Sequence, residues 1–433
     1  MSESLEYWLT RQQAAHPHTI DLGLERVSAV ARRLGLERPA ATVITVAGTN
    51  GKGSTATHAE ALLLAAGASV GLFTSPHFIR YNERIRIQGR EIDDAALVSA
   101  FEHIEAARGA ETLTFFEYNT LAALWLFAER GVQFAVLEVG LGGRLDATNL
   151  VDADAAVLCS VGLDHRDWLG ETLDQIGAEK AGIFRPDRPA VLATAHMPAS
   201  VYAAIDRLGA RPLVAERDYH WQVAADGRWS YQGARLQLVD LPPSRLQGDI
   251  QYRNAAAALA AIESLAGGPA AARVAPVLAA LDARTVGSAL GAVRLAGRFQ
   301  VVPGEVEWIL DIAHNPPAAE VFAAELARRG CRGRTLAVVG ILGDKDAPEI
   351  GGALARVVDE WFLCTLAVPR GIDAGVLAQR LKSVAPAPRL FDSVADACAA
   401  ARVAARPGDR VIVCGSVYTV GPALDWLGVY SSQ

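Results

Sequence analysis

Gly48-Thr49-Asn50-Gly51-Lys52-Gly53-Ser54 follows the apolar run Ala41-Thr42-Val43-Ile44-Thr45-Val46-Ala47 and precedes a run of small residues from Thr55 to Ala66. The order is strand, glycine-rich turn, helix start. In that order the turn amides, the helix N-terminus and the Lys52 ammonium converge on nucleotide phosphates, with Ser54 near the metal bound to them. The spacing departs from the usual phosphate loop: its first glycine would fall at Val46, and Gly53 separates the lysine from the hydroxyl residue. The bland alternative is a turn that only joins strand to helix.

The chain has 433 residues, 51% hydrophobic and 21% charged, with a net charge of −7. This is room for two or three folded domains, and the charge gives no global reason to expect nucleic acid or a membrane surface as partner. The first residues carry acids rather than a basic leader, and no apolar run spans a bilayer, so a cytoplasmic protein is expected. Cys159, Cys331, Cys364, Cys398 and Cys414 lack paired spacing and read as buried thiols in a reducing compartment.

Apolar strand candidates at 41–47, 68–73, 132–139, 155–161 and 189–194 alternate with helical stretches, Thr120–Arg130 being one clear helix. The pattern predicts a mostly parallel sheet covered by helices, with active groups at the carboxyl ends of its strands. Tyr219 to Asp240 alternates aromatic and polar residues around Asp226-Gly227 and predicts a small antiparallel excursion. Alanine-rich helices run from Asn254 to about Ala283, and Gly287 to Gly297 reads as a glycine-bearing connection. Strand candidates at 306–312, 335–340, 360–365 and 410–414 follow. The expected architecture is α/β: residues 1–290 form a phosphate-loop domain with a mostly parallel sheet, and 291–433 a smaller Rossmann-like α/β domain.

Several side chains stand at strand ends. Glu138, in an apolar strand and followed by Gly140-Leu141-Gly142-Gly143-Arg144, needs a partner: Mg²⁺ beside a phosphate loop, or else Arg144 or local backbone. His165, after the strand ending near Val161, is a candidate metal ligand or a structural histidine. The polar, basic loop Thr74 to Arg84 either closes over an anion or is solvated surface. Lys180 by itself reads as a surface lysine. Asp311 and His314 precede Pro316 and fit a functional or a helix-capping role equally.

Taken together, Gly48 to Ser54, Thr74-Ser75-Pro76-His77, Asn82-Glu83-Arg84, Phe116-Glu117-Tyr118, Glu138 to Asn149, Leu163-Asp164-His165, Glu179-Lys180-Ala181-Gly182, Asp311 to Pro316 and Gly415-Ser416-Val417-Tyr418 make the chain similar, nearly end to end, to the folylpolyglutamate synthase and dihydrofolate synthase family of the Mur ligase superfamily. Gly53 favours this folate branch, because cell-wall Mur ligases usually carry threonine directly after the lysine. The resemblance implies an ATP-dependent ligase that phosphorylates a folate-type carboxylate and lets L-glutamate attack the acyl phosphate. It implies nucleotide contacts from Thr49, Asn50, Gly51, Lys52, Gly53, Ser54, Asn254, Arg298 and Asp311. Ser54, Ser75, Glu138 and His165 would serve two Mg²⁺ ions, and Lys180 matches a position that the family carries as a carbamylated lysine. His314 and Ser416 correspond to residues near the incoming glutamate, and Lys52, Lys180, His314 and Asp311 to the catalytic set. For dihydropteroate, the resemblance implies a pocket of Asp21, Leu22, Gly23 and Leu24 with Thr114, Phe115, Phe116, Glu117, Leu145, Asp146 and Ala147. A monomer acting on dihydropteroate, reduced folates and glutamate follows. The alternatives are a monofunctional folylpolyglutamate synthase and a non-catalytic nucleotide-binding regulator.

Overall fold

The computed structural model describes residues 4–16 and 20–430; Met1 to Glu3, the start of the acid-bearing first residues, lie outside them. Eight strands form the first sheet: β1 Thr42–Ala47, β2 Val70–Phe73, β3 Ile85–Ile87, β4 Arg90–Glu91, β5 Phe134–Glu138, β6 Ala155–Leu158, β7 Pro189–Leu192 and β8 Arg211–Val214. Their spatial order is β4-β3-β2-β5-β1-β6-β7-β8, parallel except for the β2/β3 and β3/β4 pairs. The strand after which the phosphate loop begins thus sits mid-sheet. Both faces are buried, which the unbroken apolar runs require: along β1 and β5, Ile44, Val46, Phe134 and Val136 enter one core, and Val43, Ala135 and Leu137 enter the other. Each of these side chains larger than alanine contributes about 1.5–3 kcal/mol of burial.

The strands are shorter than the sequence runs, and β8 was not anticipated. It is an edge strand, the one place where Pro212 removes no needed ladder bond. The helix expected at Thr120–Arg130 spans Phe115–Glu129, because Thr114 and Glu117 close a capping box that starts it five residues sooner. Tyr219 to Asp240 supplies the antiparallel ribbon β9 His220–Val223, β10 Trp229–Gln232 and β11 Gln237–Leu241. Three helices follow, Ile250–Ser264, Ala271–Ala280 and Ala283–Ala292. Gly287 and Gly291 therefore lie inside a helix rather than in a connection. A Cβ on Gly287 would approach Pro242 to 3.1 Å, so this glycine serves close packing.

The second sheet comprises β12 Gln300–Val302, β13 Glu307–Asp311, β14 Thr335–Val339, β15 Glu360–Cys364, β16 Arg389–Phe391 and β17 Arg410–Cys414, in the order β12-β13-β17-β14-β15-β16. All pairs but β12/β13 are parallel. Cys159, Cys364, Cys398 and Cys414 are buried free thiols, while Cys331 is exposed, contrary to expectation, on the turn after the helix Pro316–Arg329. Among the described residues no helix is long and apolar enough to cross a membrane.

Candidate active site

The loop after β1 is built before any ligand arrives. Gly51, at φ 89°, is the N-cap of the helix Lys52–Ala65 and gives it no side-chain cap, so the first amides of a fourteen-residue helix remain available to an anion. The loop is stitched to the end of β6: Asn50 N–H donates to Ser160 Oγ (3.0 Å), and Thr49 Oγ1 bonds both the carbonyl and the N–H of Gly162. Lys52 Nζ donates to the carbonyls of Gly48 (2.8 Å) and Thr49 (3.3 Å), arching over the loop.

β5 brings Glu138 alongside, in register with Val46 on β1. Burial raises its pKa, while the Lys52 charge and the Ser75 N–H, which donates to Oε2 at 3.1 Å, oppose that rise. Arg144 is not its partner, since that side chain pairs with Glu179. A Cβ on Gly53 would lie 3.4 Å from the Glu138 carboxylate, so the additional glycine lets carboxylate and loop approach closely. Lys180, expected at the surface by itself, is 4% exposed. It ends the helix Leu173–Lys180, whose last carbonyls press on the Gly143 backbone so tightly that a Cβ there would come within 2.7 Å. Burial first, and the Lys52 charge second, lower its pKa to about 7.

From the second domain, Asp311 at the end of β13 accepts the N–H groups of Phe299 and Ala313, both at 2.8 Å. Burial raises its pKa against the pull of Arg298. Capping of the next helix falls to Asn315, not to Asp311 or His314. All the expected nucleotide residues, with Ser75, Glu138, His165, Lys180 and His314, line one cavity of about 320 Å³ between the two domains. Two features of this chain fit a nucleotide there. Asn254 Oδ1 is buried without a hydrogen-bond partner, and it lies 3.0 Å from where a Gly51 Cβ would stand, so glycine keeps open the space beside an unused acceptor. Among the described residues no three His, Cys, Asp or Glu side chains form a metal cage. The expected metal set of Ser54, Ser75, Glu138 and His165 supplies instead two hydroxyls, one carboxylate and one imidazole along the cavity. That donor set fits a hard cation completed by phosphate and water oxygens. Burial lowers the His165 pKa to about 4, leaving its ring neutral at pH 7.

A second cavity, about 310 Å³, is lined by Asp21, Leu22, Gly23, Thr114, Phe116, Glu117, Leu145, Asp146, Ala147 and Ser416. Two expected members are elsewhere: Leu24 packs into the first domain's core, and Phe115 stacks edge-on against Tyr81 under Arg84. Arg26 ties two of the lining residues together by pairing with both Asp21 (2.7 Å) and Glu117 (3.2 Å). Asp146 accepts from Leu141 N–H (2.8 Å), Thr148 N–H (3.0 Å) and Thr148 Oγ1 (2.6 Å), fixing the wall beyond β5. The two cavities share Ser75, Pro76, Gly140, Leu141, His165, Ile312 and His314. A phosphate chain in one and an acid in the other would meet there.

Residues absent from the expected set also stand at this junction. Asp164 accepts from Lys345 Nζ (2.6 Å) and Asn315 Nδ2 (2.9 Å) and lies 3.5 Å from His314 Nε2, linking the domains. Burial would raise the Asp164 pKa, but the His314 hydrogen bond, with the Lys345 charge beside it, holds it well below the usual range. Arg253 lines the nucleotide cavity, and no hydrogen bond or ion pair reaches its guanidinium among the described residues. Lys345 sits in Gly343-Asp344-Lys345-Asp346, which as sequence reads only as a solvated charged turn.

Two family descriptions match the chain: "Mur ligase middle domain" over residues 46–262 and "Mur ligase, glutamate ligase domain" over residues 297–417. A curated relative from Escherichia coli K12, named dihydrofolate synthase/folylpolyglutamate synthase, is 44% identical over 97% of this chain and 95% of its own. The solved structure of E. coli FolC in complex with DHPP and ADP is similar with a TM-score of 0.90 at 42% identity, covering 99% of this chain and 98% of that one. A crystal structure of a bifunctional folylpolyglutamate synthase/dihydrofolate synthase with Mn, AMPPNP and L-glutamate bound gives 0.89 at 42% identity, over 99% and 98%.

Proposed function

The chain belongs to the dihydrofolate synthase/folylpolyglutamate synthase family of the Mur ligases, and on that premise we propose how its two joined cavities perform ATP-dependent ligation of L-glutamate to dihydropteroate and to the γ-carboxyl of reduced folates. The observation that carries the reading is the shared wall of Ser75, His165 and His314 between the nucleotide cavity and the acceptor cavity.

The acceptor carboxylate, held by the pocket of Asp21 to Gly23, Phe116 and Asp146, attacks the γ-phosphorus of ATP. The bond to the β,γ-bridging oxygen breaks and ADP departs. The amine of glutamate then attacks the acyl carbon, phosphate leaves and the amine loses a proton. Lys52 and the loop amides neutralise the phosphates, which exchange for the Gly48 and Thr49 carbonyls as lysine partners. Asn254 offers its unused oxygen to the base, and Arg298 with Asp311 approaches the nucleotide from the second domain. Ser54, Ser75, Glu138 and His165 would hold Mg²⁺, which supplies charge neutralisation at the transferring phosphoryl group. A neutral Lys180 amine is a nucleophile toward CO₂, and as a carbamate it would add an anionic oxygen ligand. His314, with Nδ1 3.1 Å from the Ile312 carbonyl and Nε2 3.5 Å from the Asp164 carboxylate, is held at the wall where the glutamate would enter. Water is kept out by closure of the two domains. The family resemblance supports a monomer, placed in the cytoplasm with its small-molecule substrates.

The test is ADP release by the purified protein with Mg²⁺, L-glutamate and, in turn, dihydropteroate, tetrahydrofolate or a cell-wall precursor. Turnover with both pterin acids and none with the cell-wall precursor is expected. No turnover with dihydropteroate would leave the monofunctional synthase, and no stimulation by either pterin acid would leave the regulator.

A further inference from the structure

The loop between β2 and β3 belongs in sequence to the first domain, yet it is fastened to the second. The Phe78 ring packs against the apolar core formed by Trp308, Val420 and Leu424. The fit requires glycine twice: a Cβ on Gly297 would come within 2.8 Å of the Phe78 ring, and one on Gly421 within 2.8 Å of the Phe78 carbonyl oxygen. Five residues on, Glu83 gathers the loop. It accepts the N–H groups of Phe78 and Ile79 (both 2.8 Å) and Arg80 (2.7 Å). It also accepts the hydroxyl of Tyr430 at 2.7 Å, from the end of the second domain.

The same two segments form facing walls of the acceptor cavity. The loop contributes Ser75, Pro76 and Arg84, and the start of the helix Val417–Trp426 contributes Val417 and Tyr418 beside its N-cap Ser416. One helix therefore presents Ser416 and Tyr418 to the acceptor at its start, holds Phe78 against Gly421 in its middle, and leads to the Tyr430 bond beyond its end. Within the loop the fastening reaches the chemistry through two short links: Arg84 Nε donates to His77 Nδ1 (2.7 Å), and Ser75 N–H donates to Glu138.

The geometry points to Phe78, Glu83 and Tyr430 as positioning residues for the ligation: they strap the loop to the second domain and so hold Ser75 and Arg84 in one acceptor cavity with Ser416 and Tyr418. This rests on the ligase reading above. None of the three lines either cavity; the strap acts through the groups it holds, and of these Arg84, Ser416 and Tyr418 line the acceptor cavity alone, so its effect falls chiefly on the acceptor side.

Tyr430→Phe removes one hydroxyl, and Phe78→Ala removes the plug, with Phe78→Leu as the conservative control. Loss of a hydrogen bond to a charged group corresponds to roughly tenfold. Tyr430→Phe is therefore expected to raise KM for dihydropteroate, or lower kcat/KM for it, about tenfold. Dissociation constants for ADP should stay within twofold, and the melting temperature should fall by no more than about 2 °C. Phe78→Ala should do more, and Phe78→Leu should recover most of it. Hydrogen exchange gives a readout free of any substrate assumption: the Phe78, Ile79 and Arg80 amides should exchange at least tenfold faster in Tyr430→Phe than in the parent with ADP bound. Parent-like exchange and parent-like KM would overturn the strap, as would equal losses for acceptor and ADP. If the parent protein turns over neither dihydropteroate nor tetrahydrofolate while exchange still responds to Tyr430→Phe, the ligase reading fails and the fastening of the loop stands.

Discussion

Replacing Lys180 with methionine should make the empty protein more stable and the enzyme inactive. The side chain is 4% exposed, and its ammonium titrates at about 7 instead of the usual 10.5, through burial first and the charge of Lys52 second. Between those two pH values the unfolded chain holds a proton that the folded chain does not, so stability rises with pH across that window and the burden is greatest at and below pH 7. At about 1.36 kcal/mol per pH unit, the charged form costs ~4 kcal/mol at pH 7 and ~2 kcal/mol at pH 9. Lys180→Met keeps the aliphatic volume and removes the titration. Urea unfolding of nucleotide-free protein in CO₂-free buffer should therefore show a gain of about 4 kcal/mol at pH 7, shrinking to about 2 at pH 9. Turnover should fall at least about 100-fold, because the proposed anionic ligand near the metal is gone. Small carboxylates should restore part of it. A variant less stable than its parent at pH 7, or a gain of equal size at both pH values, would refute the electrostatic reasoning. Unchanged turnover would refute the role in catalysis.

Glu138→Gln should fold normally, since the amide oxygen can still accept the Ser75 N–H, yet lower kcat by about 10²–10³-fold and weaken the response to Mg²⁺ in an ADP-release titration. Gly51→Ala places a Cβ at φ 89° and 3.0 Å from Asn254 Oδ1. It should cost about 1–3 kcal/mol in urea unfolding and raise KM for ATP more than KM for glutamate. Asp146→Ala strands the Leu141 and Thr148 donors, and a loss of roughly 3 kcal/mol is expected, with a raised KM for dihydropteroate and an unchanged dissociation constant for ADP.

The phosphate loop and the strand ends were legible because the signals are local. A glycine with positive φ must follow the strand, the lysine must start the helix, and the carboxylate must interrupt an apolar run. The placement of Glu138 beside Gly53 follows from the β1/β5 register, and their shared functional meaning came from the family resemblance. Lys180 shows where the sequence runs out. Its neighbours Glu179 and Ala181 mark an ordinary helix end, and its burial comes from Gly143, thirty-seven residues earlier in the chain, admitting the helix carbonyls. Lys345 is the same case over a longer distance, since its partner Asp164 lies on the other domain. Gly287 misled for the opposite reason: a glycine chosen for contact with Pro242 looks, in sequence, like one chosen for a turn.

The most direct test of the central claim follows the oxygen atoms. Dihydropteroate labelled with ¹⁸O in both carboxylate positions is turned over with ATP, Mg²⁺ and L-glutamate, and the phosphate and dihydrofolate are analysed by mass spectrometry. An acyl phosphate formed at the junction of the two cavities predicts one ¹⁸O in each phosphate released and one retained in each new amide. Unlabelled phosphate accompanying amide formation would contradict it.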